Sequence, residues 1–274
     1  MRLFYRTYGI GIPIVALHGL YASRDSWIGP IVNELSHTYQ VILVDIRNHG
    51  RSPHSQDHSY SLMSEDLLEL LDELSIEQAI LLGHSMGGKV AMHFSLHYPE
   101  RVKGLIVEDI SPLAYLQNHE NVIYHQNIIN ALKSLPINHF TSRKEAEIAL
   151  SKAINDVSLN KFLLKNLQRN KDGKLVWRID LGVLVKNLYR IMENITDEVK
   201  PSDIYSLFIR GSLSKYISNE DEVAIKTFFP RSTIKTIQNA GHWTHNEQQS
   251  DFLQTVKQYL SLLNSADYQI SHSQ

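Results

Sequence analysis

One serine stands between two glycines at a spacing that suits nucleophilic chemistry. Gly83 and Gly87 flank Ser85 in the pattern G-x-S-x-G, after the apolar residues 79–82 and before a helical pattern. A sharp turn from strand to helix crowds the backbone, so the neighbours of the serine must lack side chains. The turn would present the hydroxyl at the end of the strand, beside helix N–H groups that can stabilise an oxyanion. The pattern therefore predicts acyl transfer by a serine nucleophile.

A phosphate-binding loop is the competing hypothesis for the same residues. Gly83, Gly88 and Lys89 fit the pattern G-x-x-x-x-G-K, but Val90 stands where such a loop needs a Ser or Thr hydroxyl for Mg²⁺. An ordinary glycine-rich turn is the third hypothesis. The remaining residues of the chain favour the nucleophile.

A histidine and two backbone donors complete a possible acyl-transfer site, which needs a base and donors for the oxyanion. His242 follows the last predicted strand, as the chain order serine, acid, histidine requires, and His245 is its competitor. The backbone N–H groups of Met86 and Leu20 are the candidate oxyanion donors, with Tyr21 as the alternative to Leu20. A carboxylate beside the histidine would raise the histidine pKa above its ordinary value of about 6.5.

Alternating apolar and amphipathic segments predict the elements that must position these residues. Strands are predicted over residues 1–8, 12–17, 41–44, 79–82, 105–107, 205–209 and 233–237, and helices over residues 26–35, 62–74, 89–97, 220–228 and 252–263. Strands that are apolar on both faces and alternate with helices indicate a mostly parallel central sheet covered by helices on both faces.

The alternation stops between residues 112 and 201, where the pattern is helical and no strand is evident. We interpret this insertion, residues 112–201, as a helical lid that follows the strand after the nucleophile helix and lies over the catalytic turn. The core domain then consists of residues 1–111 and 202–263, and the polar residues 264–274 form a flexible tail.

The composition is that of an ordinary globular protein and excludes several function classes. The chain has 274 residues, of which 43% are apolar, and a net charge of −2, so it can form one large α/β domain without a basic surface for nucleic acid. It has no cysteine, which excludes disulfides, thiolate metal sites and a cysteine nucleophile and fits a cytoplasmic protein. No apolar run is long enough to span a membrane, and the 14 histidines show no metal-ligand spacing. We therefore expect no membrane, metal or cofactor partner.

Several motifs together resemble the α/β-hydrolase fold serine hydrolases. They are His18-Gly19, Asp45-x-Arg47-x-x-Gly50-x-Ser52, the sequence GHSMGG at residues 83–88, and Gly241-His242-Trp243. Residues 45–50, 88–89 and 109–112 are similar to the bacterial YbfF-type esterases, and the resemblance extends over about residues 14–260. It implies small acyl esters or thioesters as substrates and no cofactor. It does not select one natural substrate, because this fold supports many chemistries.

The acid of the expected triad departs from the pattern of the wider fold. Most members carry it after the strand predicted at residues 205–209, but residues 210–216 contain no carboxylate. Asp109 directly follows the apolar residues 105–107, at the carboxyl end of a strand, where catalytic groups of open α/β sheets gather. We therefore expect Asp109 to orient the base.

Three other carboxylates are weaker candidates for the acid. Strand alternation should point the side chain of Glu108 to the opposite face of the sheet. Glu220 and Asp221 lie at the start of a predicted helix, where acidic residues stabilise the helix end. The alternative for Asp109 itself is a cap for the segment after Pro112.

The sequence thus predicts a serine esterase with Ser85 as nucleophile, His242 as base and Asp109 as the orienting acid, which acts through a covalent acyl-enzyme. The candidate substrate-binding residues are His18, Tyr21, Leu113, Tyr115, Leu116, Trp177, Leu181, Leu184 and Trp243. A small-molecule receptor on the same scaffold with weak turnover, or another cofactor-free reaction of this fold, is the alternative. Bulky side chains in the insertion predict a preference for short acyl chains.

Overall fold

The computed structural model describes residues 1–115, 119–195 and 200–271. Its strands are β1 (Phe4–Tyr8), β2 (Ile12–Leu17), β3 (Tyr39–Asp45), β4 (Ala79–His84), β5 (Val102–Glu108), β6 (Leu167–Arg169), β7 (Leu175–Trp177), β8 (Ser206–Gly211) and β9 (Ser232–Ile237). Its α-helices are α1 (Pro30–Leu35), α2 (Tyr60–Glu73), α3 (Met86–His97), α4 (His119–Ser134), α5 (Arg143–Ser151), α6 (Val157–Leu164), α7 (Leu181–Met192), α8 (Asn219–Phe228), α9 (Thr244–Glu247) and α10 (Gln249–Ser271). Short 3₁₀ helices occupy Arg24–Trp27, Pro99–Arg101 and Ile137–His139.

A seven-stranded sheet in the order β1-β3-β2-β4-β5-β8-β9 forms the centre of the molecule. β1 pairs antiparallel with β3, and the other neighbours pair in parallel. The side chains of β4 alternate between two buried clusters, because Leu81 packs on one face and Ile80 and Leu82 pack on the other. Burial on both faces explains the continuous apolar runs. The predicted mostly parallel sheet, covered on both faces, is confirmed.

The carboxyl ends of the central strands meet at one edge of the sheet. Leu17 of β2 is in register with Gly83 of β4, and Glu108 of β5 is in register with His84. Glu108 is also in register with Ile209 of β8. Since a chain turn follows each of these strands, residues just beyond the strand ends come together there.

In its described residues, the insertion between β5 and β8 contains the four α-helices α4 to α7, a 3₁₀ helix, and a short antiparallel hairpin formed by β6 and β7. The sequence pattern predicts no strand in this segment. Each strand of the hairpin has only three residues, too few to show a period of two. A turn at residues 171–173 joins the two strands, and Gly173 has a φ of 76° there.

The two ends of the insertion are tied to each other where they leave and rejoin the core. The Tyr115 N–H donates to the Met192 carbonyl at 2.7 Å, and the Ile195 N–H donates to the Pro112 carbonyl at 3.1 Å. The Lys89 ammonium of α3 donates to a carbonyl at each end, that of Leu113 at 2.8 Å and that of Glu193 at 2.6 Å. We call this paired segment the neck.

The last helix is longer than the sequence predicts. α10 runs to Ser271, past the expected end at Leu263. Its first half packs on the sheet through Phe252, Val256 and Leu260. The helix therefore continues through residues 264–271, which belong to the segment predicted as a flexible tail.

Candidate active site

Ser85 occupies a strained turn between β4 and α3. Its backbone φ is 52° and its ψ is −120°, a region that residues with side chains rarely adopt. A Cβ on Gly83 would lie 2.3 Å from the Gly87 carbonyl oxygen, and a Cβ on Gly87 would lie 2.4 Å from the Leu17 carbonyl oxygen. Both glycines are therefore required by close backbone approach, as the G-x-S-x-G pattern predicts. Met86 is the first residue of α3, where N–H groups have no intrahelical acceptor.

The loop after β2 passes directly beside the serine. A Cβ on Gly19 would lie 3.2 Å from the Ser85 Cβ and 2.7 Å from His84 Nδ1, so glycine permits the approach. The loop then turns sharply, since the Ala22 N–H donates to the Gly19 carbonyl at 3.1 Å and Tyr21 has a φ of 61°. The structure thus brings the backbone around Leu20, the second candidate oxyanion donor, to the serine.

Asp109 and His242 lie in contact. His242 Nδ1 is 2.8 Å from Asp109 Oδ2, and the carboxylate is fully buried at the end of β5. The Gly211 N–H donates to Asp109 Oδ1 at 3.0 Å, and the Ser214 hydroxyl donates to Oδ2. Ser214 lies in the segment after β8 where most members of the wider fold carry the acid, and its hydroxyl binds Asp109, the candidate acid.

A second carboxylate–imidazole pair lies beside the first. His245 Nδ1 is 2.8 Å from both carboxylate oxygens of Glu108, and the Thr244 hydroxyl also donates to Glu108. The His245 ring packs on Trp27, in the cluster on the other face of the sheet. Glu108 therefore points away from Asp109, as strand alternation requires, and this pair anchors the start of α9.

His84 contacts the segment that carries the candidate base. Its Nε2 lies 2.9 Å from the His242 carbonyl oxygen, so the imidazole donates to the backbone there. The His84 and His242 rings are 4.7 Å apart. The sequence alone does not reveal this contact, because it depends on how the last loop folds back over β4.

Burial controls the protonation of the candidate base and acid. Burial lowers the pKa of His242, and nearby Glu108 opposes that shift. The expected rise in the histidine pKa is therefore wrong, since burial outweighs the neighbouring carboxylates. Burial also raises the pKa of Asp109, against the hydrogen bonds from Ser214 and Gly211. A neutral imidazole that contacts the acid through Nδ1 leaves Nε2 as the nitrogen that can accept a proton.

A cavity of about 330 Å³ opens beside these groups, and Ser85 and His242 both line it. Its apolar lining residues are Leu20, Ile128, Leu159, Phe162, Leu213 and Trp243. Besides Ser85 and His242, its polar lining residues are Tyr21, His84, Asn121, Tyr124, His125, Ser214, Lys215 and Tyr216. α4 supplies residues 121, 124, 125 and 128 at the spacing of one helix face. That periodicity was the signal in the sequence that could have identified this wall.

The structure places some predicted substrate-binding residues at the cavity and others elsewhere. Tyr21 and Trp243 line it, as does Leu20, a candidate oxyanion donor. The other candidates that are not among its described lining residues are His18, Leu113, Tyr115, Trp177, Leu181 and Leu184. Leu116 lies outside the described residues.

Each misplaced side chain has another partner or position. The Ile46 N–H donates to His18 Nε2 at 3.0 Å, and the Tyr115 hydroxyl donates to the Tyr216 carbonyl at 2.6 Å. Leu184 and Leu181 are buried in the main core cluster, and Trp177 packs against the same cluster. Leu113 is 37% exposed at the neck. Their assignment to the substrate pocket is therefore corrected.

Lys89 does not face a phosphate site. Its buried ammonium binds the two carbonyl groups of the neck, and it lies 4.9 Å from the Tyr115 ring centroid. This arrangement removes the structural basis of the phosphate-loop hypothesis. Within the described ranges, no group of three His, Asp or Glu side chains is arranged to hold a metal ion. Among the helices of those same ranges, none is long and apolar enough to cross a membrane.

Comparison with known proteins places these features in a family. A family model described as alpha/beta hydrolase fold matches residues 12–248. Esterase YbfF of Escherichia coli is 32% identical over 249 residues, which cover 91% of this chain and 93% of that protein. The mouse sn-1-specific diacylglycerol lipase ABHD11 is 36% identical over 253 residues, which cover 90% of this chain and 80% of that protein. A solved structure, "Marine microorganism esterase", is 45% identical with a TM-score of 0.92, covering 94% of this chain and 99% of that one.

Proposed function

This chain belongs to the α/β-hydrolase family, as a carboxylic ester hydrolase of the esterase and lipase type, and we propose that it acts through a triad of Ser85, His242 and Asp109. The observation that carries the proposal is the 2.8 Å contact between His242 Nδ1 and Asp109 Oδ2, with His242 and Ser85 lining one cavity. No other described pair has this arrangement beside the serine, because His245 is held by Glu108 in the opposite cluster.

The first half of the reaction forms an acyl-enzyme. His242 Nε2 takes the proton of the Ser85 hydroxyl as its oxygen attacks the ester carbonyl carbon. The carbonyl oxygen becomes an oxyanion, which the N–H groups of Met86 and Leu20 stabilise. The bond to the leaving alcohol then breaks, and the alcohol takes the proton from His242.

The second half repeats the same steps with water. His242 accepts a proton from a water molecule as its oxygen attacks the acyl carbon, and the protonated imidazole returns the proton to Ser85 as the acid product leaves. Asp109 keeps the proton on Nδ1 throughout and stabilises the imidazolium while it exists. A thioester would react by the same route, since the attacked carbon is the same.

The insertion acts as a lid that limits substrate size. Side chains of α4 and α6, among them Tyr124, Ile128, Leu159 and Phe162, line the cavity opposite the core residues. We expect esters with acyl chains of about two to six carbons to be hydrolysed faster than those with about twelve, because a cavity of about 330 Å³ leaves little room beyond a short chain. A preference for long-chain triglycerides would contradict this.

Turnover of p-nitrophenyl butyrate, combined with a fluorophosphonate label, tests the proposed triad. Wild type should turn over many equivalents and be labelled at Ser85, and Ser85→Ala should lose both. Many turnovers per molecule also distinguish an esterase from a receptor with weak turnover. Retention of more than a few per cent of activity in Ser85→Ala would show that another nucleophile acts.

A further inference from the structure

We infer that Tyr21, His125 and Tyr216 form a subsite that binds a hydroxyl group of the substrate, so that hydroxylated esters are preferred over plain alkyl esters. The inference rests on the proposed function of the same cavity. The three residues come from the loop after β2, from α4 of the insertion and from the loop after β8. All three line the cavity with Ser85.

The three side chains form one hydrogen-bonded chain. The Tyr21 hydroxyl lies 3.3 Å from His125 Nδ1 and 3.4 Å from the His125 carbonyl oxygen. The Tyr216 hydroxyl lies 3.2 Å from His125 Nε2. Each ring nitrogen of His125 thus faces one phenol.

In either tautomer of His125, the Tyr216 hydroxyl keeps a hydrogen-bond donor or acceptor that His125 does not use. Burial lowers the pKa of His125 to about 3, so the imidazole is neutral and has one N–H and one acceptor nitrogen. If Nε2 carries the proton, it donates to Tyr216 and the Tyr216 proton is free. If Nδ1 carries it, Tyr21 accepts that proton and donates to the His125 carbonyl, while Tyr216 donates to Nε2 and keeps a free lone pair. A ligand hydroxyl, which both donates and accepts, fits either state.

The chain ends next to the reacting groups. The Tyr216 ring stacks on the His242 ring, with centroids 4.0 Å apart and planes 28° apart. At the other end, Tyr21 directly follows Leu20, a candidate oxyanion donor. A group held by this subsite therefore lies within a few bonds of the scissile ester.

The charges of the cavity favour a neutral hydroxyl over a carboxylate. Lys215 is the one charged side chain among the described lining residues, apart from the histidines, and it is exposed to solvent. The imidazole of His125 is neutral, so an ionised ligand group beside it would be buried without a counter-charge. A hydroxyl carries no such penalty.

Two matched pairs of esters test the inference and separate the acyl side from the alcohol side. The first pair is p-nitrophenyl 3-hydroxybutyrate and p-nitrophenyl butyrate; the second is 2-hydroxyethyl butyrate and propyl butyrate. In at least one pair, wild type should show a kcat/KM about fivefold higher for the hydroxylated member, the effect of one net hydrogen bond. His125→Phe and Tyr216→Phe should reduce that ratio to about one. Tyr124→Phe, which removes another cavity hydroxyl from the same helix, should retain it.

The ratio distinguishes a subsite from a structural tie. If His125→Phe and Tyr216→Phe reduce kcat/KM equally for both members of a pair, the inference is overturned. A wild-type kcat/KM ratio near one in both pairs would overturn it as well. Loss of the ratio in Tyr124→Phe, or faster hydrolysis of a succinate half-ester than of the hydroxylated esters, would also overturn it. In each of these cases hydrolysis of plain butyrate that depends on Ser85 would leave the proposed function intact. If wild type hydrolyses none of these esters, both the inference and the proposed function are overturned.

Discussion

Replacement of Asp109 by Asn tests the proposed acid with little change in shape. Asp109 Oδ1 accepts the Gly211 N–H at 3.0 Å, so an Asn at this position keeps its carbonyl oxygen there and turns its amide N–H₂ toward His242 Nδ1. A donor that faces Nδ1 selects the tautomer with the proton on Nε2. That tautomer cannot accept the Ser85 proton. The expected loss in kcat is about 10³- to 10⁴-fold, equal to about 4–5.5 kcal/mol of transition-state stabilisation.

The assay compares Asp109→Asn with wild type on p-nitrophenyl butyrate and measures thermal unfolding of both. The matched control is Glu220→Gln, which removes an exposed carboxylate at the start of α8 and should leave kcat unchanged. A kcat for Asp109→Asn within tenfold of wild type, with the protein folded, would refute the assignment of the acid.

Relocation of the carboxylate sharpens the same prediction. The Ser214 hydroxyl already binds Asp109 Oδ2, so a carboxylate at position 214 can reach the neighbourhood of His242 Nδ1. The double variant Asp109→Ser with Ser214→Asp should recover at least about tenfold in kcat over Asp109→Ser alone, because an acceptor again faces Nδ1. No recovery would show that a carboxylate at position 214 does not face His242 Nδ1 and so cannot substitute for the one at position 109.

The remaining predictions concern the two histidines and the second buried pair. In a steady-state assay, His242→Ala should lose nearly all kcat, whereas the folded fraction of His245→Ala should keep most of it. The opposite result would identify His245 as the base. In wild type, kcat/KM should rise with pH along a one-proton curve whose midpoint lies below about 6.5. The reason is that burial lowers the pKa of His242 and only the neutral imidazole accepts the Ser85 proton. A midpoint above about 6.5 would show that burial does not control the pKa of His242. Burial raises the pKa of Glu108, but the imidazoles of His245 and His84 and the hydrogen bonds outweigh it and bring the pKa to about 2. A lowered carboxyl pKa stabilises the fold above the unfolded value of about 4.5, and this stabilisation is lost as the pH falls toward 2. Glu108→Gln should therefore lower the free energy of unfolding at pH 7 by about 3 kcal/mol, measured by urea titration. The same variant should lose less than a hundredfold in kcat. Unchanged stability would show that the Glu108–His245 pair does not stabilise the fold.

Local patterns in the sequence were sufficient for the parts of the site that each depend on one turn. Gly83 and Gly87 are needed by the backbone around Ser85 itself, so the requirement is visible in five consecutive residues. Asp109 was predictable because it follows a buried strand whose end must lie at the sheet edge. The parallel sheet was predictable for a similar reason, since strands buried on both faces have continuous apolar runs.

Contacts between distant segments were not predictable in this way. The His84 contact with the His242 carbonyl and the Ser214 contact with Asp109 join residues more than a hundred positions apart. Trp177 is a pocket candidate because of its size, but size does not tell which face of the insertion meets the cavity, and its side chain packs against the main core cluster. The cavity wall comes instead from α4, whose lining positions recur at helical spacing.

The neck has a consequence for how proteins of this architecture diversify. Its paired backbone groups, Tyr115 with Met192 and Pro112 with Ile195, fix the entry and exit of the insertion at one point, and Lys89 fastens that point to α3. The length and sequence of the chain between them can therefore change without moving β5 or β8, which position Asp109. Natural selection or an engineer can therefore exchange one insertion for another, which would change the wall of the cavity while Ser85, Asp109 and His242 keep their positions.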